Sequence, residues 1–119
     1  MSPEIRTRPA LRLAQWLGMA FLAGLVVVSL APAFKGYVAS RGPIHEAAHV
    51  LAFCVAFLLN ATFSRSARGL VIRALALVVF GAILELAEKS IYGSQLEYSD
   101  ILSDAVGIGI GVLIRKVIQ

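Results

Sequence analysis

Six ionisable residues stand at spacings that bring them together in pairs. His45 and His49 are four residues apart, Glu85 and Glu88 three apart, and Asp100 and Asp104 four apart. On a helix, residues three or four apart share one face. Two imidazoles with four carboxylates form the donor set of a general acid–base site, of a divalent-cation site, or of a polar pocket. His49, Glu85 and Asp104 are the candidates for any catalytic role. The candidate binding residues are His45, His49, Glu85, Glu88, Asp100 and Asp104. If a divalent metal is held, His45, His49 and Glu85 are the first candidates to hold it.

The string His45-Glu46-Ala47-Ala48-His49 is an H-E-x-x-H, in which two histidines bind zinc and the glutamate acts as general base. A third ligand could come from Glu85, Glu88 or Asp104. A pattern with three fixed positions arises often by chance, and the chain is small for an intramembrane protease.

The elements that must carry these residues are apolar. Hydrophobic residues make up 59% of the 119, and charged residues only 15%, against roughly 25% in soluble domains. The mean hydropathy is +0.83. Four apolar stretches, at about 11–31, 44–63, 70–87 and 101–118, each approach the ~20 residues that cross a hydrocarbon core. A lipid-exposed backbone must be helical to satisfy its own polar groups. The expected fold is therefore all-α, an integral membrane four-helix bundle forming a single domain over residues 1–119. Pro32 suits the end of the first helix and Pro43 the first turn of the second. Ser99 suits the N-cap of the fourth.

The basic residues orient the bundle. Arg6, Arg8, Arg12, Arg65, Arg68, Arg73, Arg115 and Lys116 flank one side, whereas Lys35, Arg41 and Lys89 flank the other. Lys and Arg concentrate in cytoplasmic loops. Both termini and the loop at 62–68 are then expected in the cytoplasm, in a bacterial inner membrane. Of the seven acidic residues, all except Glu4 fall toward the opposite, outer face, as do both histidines. Glu97 reads as a solvated loop residue, Asp100 could be a helix-start residue favoured by the dipole, and His45 could be merely interfacial. Ionisable groups one turn inside a membrane face the bundle interior or a cavity. His49, Glu85 and Asp104 are thus expected in one cluster formed by helices two, three and four, with helix one serving as packing. Two such carboxylates repel unless they share a proton, pair with His49 or bind a cation. The same cluster could instead hold the helices together structurally.

In the fourth stretch Asp100, Asp104, Gly107 and Gly111 lie on one stripe. Gly107 and Gly111 form a G-x-x-x-G, which lets helix backbones approach. The stripe is expected to face neighbouring helices; a homodimer through it is the alternative. The net charge of +4 lacks the aromatic-interleaved basic surface of a nucleic-acid binder, so no nucleic-acid partner is expected. A cleaved signal peptide is the rival reading of the first stretch, weakened by its length and by Pro32. Cys54 is the single cysteine and has no partner in the chain for a disulfide.

These motifs resemble the VanZ-like family of small bacterial membrane proteins. His49-Val50-Leu51-Ala52-Phe53 is similar to that family's H-x-x-A-F. Glu85-Leu86-Ala87-Glu88 resembles its E-x-x-Q, with Glu88 in place of glutamine. The run from Asp100 to Gly107, followed by Gly111, resembles its D-[IL]-L-x-N-x-x-G-x-x-x-G, with Asp104 in place of asparagine. His45-Glu46 stand where the family often has D-K, and its arginine after E-x-x-Q has no clear counterpart near Gln95 and Glu97. The family is named for a protein associated with resistance to teicoplanin, which acts on outer-face cell-wall intermediates. The resemblance implies a cell-envelope protein whose outer-face site binds, and could modify, an envelope or lipid-linked ligand. Its partners would be membrane lipid and a lipid-linked cell-wall precursor. A non-enzymatic structural or accessory protein is the first alternative. A small multidrug-type transporter is the second; those rely on a glutamate in helix one, and residues 11–31 hold no acidic residue.

Overall fold

The computed structural model describes residues 3–31, 43–61, 66–93 and 98–118. All four segments are helical: α1 (Pro3–Leu30), α2 (Pro43–Ala61), α3 (Ala67–Tyr92) and α4 (Tyr98–Ile118). The all-helical expectation holds, and the helix ends differ from those marked by hydropathy. α1 starts eight residues earlier than expected, because a helix can run on beyond its apolar stretch. α2 opens at Pro43, where the missing N–H needs no partner, and ends at Ala61. α3 is longer at both ends because local caps set its limits. The Ser66 hydroxyl accepts from the Gly69 amide at 3.0 Å. At the other end Gly93 takes a left-handed conformation with φ 67°, which costs glycine little. Its amide donates to the Lys89 carbonyl at 2.9 Å. In α4, Ser99 lies inside the first turn rather than capping it.

Among the described residues, three helices are long and apolar enough to cross a membrane, over Arg12–Leu30, Pro43–Ala61 and Ala67–Tyr92. α4 has 21 residues, about 31 Å at 1.5 Å per residue, with Asp100, Asp104, Arg115 and Lys116 lowering its hydropathy.

The core is built from Phe53, Ala56, Phe57 and Ala61 of α2, Leu70 and Leu77 of α3, and Ile108 of α4. Phe21, Leu22 and Leu25 of α1 pack against it. The opposite faces are apolar and exposed, including Leu51, Leu75, Val79, Ile83, Leu102 and Leu113. Only 6% of the apolar stretch of α1 is buried. A surface this apolar finds its match in hydrocarbon, since soluble monomers rarely expose such patches.

α2 and α4 form the tightest interface, and they run parallel. A Cβ at Gly107 would collide with the Val50 carbonyl oxygen, and one at Gly111 would stand 2.8 Å from the Phe57 ring. The G-x-x-x-G stripe is thus taken up within the chain, against α2, while a Cβ at Gly109 would meet nothing within 4 Å.

Candidate functional site

The parallel packing of α2 on α4 puts two i, i+4 pairs in register. His45 faces Asp100 and His49 faces Asp104, each 55 residues apart in sequence. His49 Nδ1 lies 2.6 Å from Asp104 Oδ1, and His45 Nε2 lies 3.5 Å from Asp100 Oδ2. The two rings are joined to each other, Nε2 to Nε2, at 3.1 Å. Four ionisable side chains therefore run in series: Asp104, His49, His45, Asp100. Gly81 of α3 makes the space for this chain. A Cβ there would stand 2.7 Å from Asp104 Oδ2 and 3.1 Å from the Phe53 ring.

α3 supplies Glu85 and Glu88 to the same end, and both are buried. Glu88 is hydrogen-bonded to the Ser29 hydroxyl of α1 and interacts electrostatically with His49, Asp100 and His45. α1 is therefore more than packing, which corrects the expectation that helix one stays out of the cluster. The sequence signal for Ser29 was slight: one hydroxyl near the end of an apolar run. Tyr92 ties the same ends together, its hydroxyl donating to the Leu30 carbonyl at 2.6 Å.

A cavity of about 70 Å³ lies among these groups. Its polar wall is His45, His49, Glu85, Glu88, Asp104 and Ser29, and its apolar wall includes Leu25, Val28, Ala52, Phe53 and Leu84. Among the described residues, no Lys or Arg lines it. Burying ionised carboxylates without compensation costs several kcal/mol each. Shared protons, protonated imidazole and a bound cation are ways in which such carboxylates are compensated.

His49, Glu85 and Asp104 come together as expected, with Glu85 and Asp104 buried. Asp100 does stand in the first turn of α4, and both it and His45 are buried, at 5% and 7% exposed. Their mutual contact across α2 and α4 removes them from water. Glu46 is exposed and is not among the residues that line the cavity with the two histidines, which does not fit the general-base position of an H-E-x-x-H protease. Among the described residues, the three side chains whose ligand atoms all lie within 4.8 Å of one another are His45, His49 and Asp100. Asp100 thus stands where Glu85 was expected in the metal-ligand set. Glu97, Gln95, Lys35, Arg41 and Arg65 lie outside the described residues.

No protein-family model, curated protein or solved structure matches the chain.

Proposed function

We propose that the chain is a four-helix integral membrane protein of the bacterial inner membrane, VanZ-like in character. In this reading the pocket between His45 and Asp104 faces outward and binds, and could modify, the polar head of an envelope or lipid-linked ligand. One observation carries it: a pocket that joins five ionisable side chains to an apolar wall, at one end of helices with apolar outer faces. A ligand with a polar head and a hydrocarbon tail has the matching chemistry. α4 serves as the fourth span because Asp100 and Asp104 are buried in the bundle and its outward side chains are largely aliphatic. The excess of basic residues around the first helix, the second connection and the C-terminus supports cytoplasmic termini.

The test is native mass spectrometry of the protein in detergent, against a polyprenyl-linked cell-wall precursor and ordinary phospholipids. The precursor should bind preferentially, and Glu85→Gln should weaken it at least about tenfold, a loss of roughly 1.4 kcal/mol. Equal binding of precursor and phospholipid, or no change in the variant, contradicts the reading.

A second reading has its own support. The His49–Asp104 and Glu88–Ser29 hydrogen bonds each join two helices, as in a purely structural or accessory membrane protein. Polar side chains bonded between membrane helices add about 0.6–2 kcal/mol each. The two readings part on whether carboxylate-to-amide changes alter binding or only stability.

A further inference from the structure

We infer that His45, His49 and Asp100 form a site for one divalent cation of the zinc class, with Asp104 orienting His49. This goes beyond the ligand reading and does not depend on it. Three lone-pair atoms converge on one point. His45 Nε2 is 3.1 Å from His49 Nε2 and 3.5 Å from Asp100 Oδ2. Two ligand atoms bound to a tetrahedral zinc stand about 3.3 Å apart, given bonds of about 2.0–2.1 Å. All three ligand atoms lie within 4.8 Å of one another, so the widest pair must close toward the spacing that zinc sets.

The tautomer of His49 is set for this task. Its Nδ1 lies 2.6 Å from Asp104 Oδ1, and a neutral imidazole that donates there keeps its lone pair on Nε2, the atom directed at His45. A ligating histidine whose other ring nitrogen donates to a carboxylate is the recurrent outer-shell arrangement of metal sites. An ordinary helix-bonding histidine does not need its second nitrogen turned toward another imidazole and a carboxylate.

Charge points the same way. Asp100 and Asp104 are both buried beside the two imidazoles. A dication offsets these two charges. His45 and His49 both line the cavity, so a coordination position left open by three protein ligands is reached from it. Soft thiolate is absent from the donor set, since buried Cys54 is outside the cluster. Two imidazoles and a carboxylate suit zinc better than calcium or magnesium, which take oxygen ligands.

The experiment is a Co²⁺ titration of the metal-stripped full chain in detergent, without any lipid-linked ligand, followed by Zn²⁺ competition. The wild type should take up one Co²⁺ per chain, show the visible absorption of a tetrahedral site, and lose it to Zn²⁺. H49Q and D100N should each weaken binding at least about tenfold, D104N about 10–100-fold, and E46Q not at all. Far-UV circular dichroism shows which variants fold, and the wild-type titration decides alone if one does not. No stoichiometric uptake by the wild type overturns the site, as does unchanged affinity in folded H49Q and D100N. Failure here leaves precursor binding to be judged separately, and loss of precursor binding leaves the metal site standing.

Discussion

At the Asn60 end of the bundle, polar side chains bond to backbone. Asn60 Nδ2 donates to the Ala56 carbonyl at 2.8 Å, and Arg73 donates to the Asn60 carbonyl at 2.8 Å. Ser66 caps α3 beside them. At the His45 end, side chains bond chiefly to side chains, across 55 residues of sequence. Both ends hold a cavity; the one beside Asn60, Arg73, Leu77 and Phe80 is about 260 Å³. The difference is in what the polar groups are for. Arg73 and Ser66 satisfy a carbonyl and an amide that helix ends leave open, and Asn60 bonds back to its own helix, so their work is finished within the fold. The His45 end gathers titratable groups beyond what any helix end requires, and that surplus is what binding or proton chemistry uses.

This contrast can be broken most forcibly at the α2–α4 contact, which builds both His–Asp pairs. Gly107→Val should separate the helices and remove both His–Asp pairs, with a loss of about 3 kcal/mol or more. It would be measured as loss of a cooperative melt in detergent and loss of metal uptake. A variant that melts like wild type would mean the parallel packing is not what builds the site.

A milder comparison sets one residue from each end side by side. Asp104→Ala strips a charge-assisted partner from His49 and should cost about 2–3 kcal/mol, whereas Asn60→Ala removes neutral bonds worth about 1 kcal/mol. Denaturant titration of both proteins gives the ranking. Equal losses would erase the distinction between the two ends. Smaller still, Ser66→Ala should cost about 1 kcal/mol through the lost cap, with metal uptake unaltered. Gly109→Ala meets open space and should be neutral or slightly stabilising, measured as a melting temperature at or just above wild type. A clear fall there would show that the stripe is used on both sides.

Much of the site was legible because helical spacing and membrane depth are both written in the sequence. The i, i+4 pairs 45/49 and 100/104 share a pitch, so two parallel helices can bring them into register. The sequence alone did not say that α2 and α4 are the parallel neighbours, and hence that Asp100 rather than Glu85 joins the histidines. Glu46 was ambiguous because three-residue spacing from His49 places it near that face without fixing its burial; in the fold it is exposed. Ser29 and Gly81 were hidden for another reason. A hydroxyl or a glycine in an apolar run carries no signal until a carboxylate is seen to need it. Helix ends were misjudged where Ser66 and Gly93 set them, since hydropathy reports the apolar stretch and caps report the backbone.

The central claim is that Glu85, at the His45 end, is kept for a ligand and not to hold the bundle together. The most direct measurement is the thermal stability of Glu85→Gln in detergent, without added metal or lipid. Gln keeps the shape and hydrogen-bonding capacity of Glu85 while removing one of four buried carboxylates. Sites kept for function commonly hold groups that cost stability. The account therefore predicts a melting temperature equal to or above that of the wild type. A fall of several degrees, about 1 kcal/mol or more for a chain of this size, would contradict it and make the cluster a structural tie.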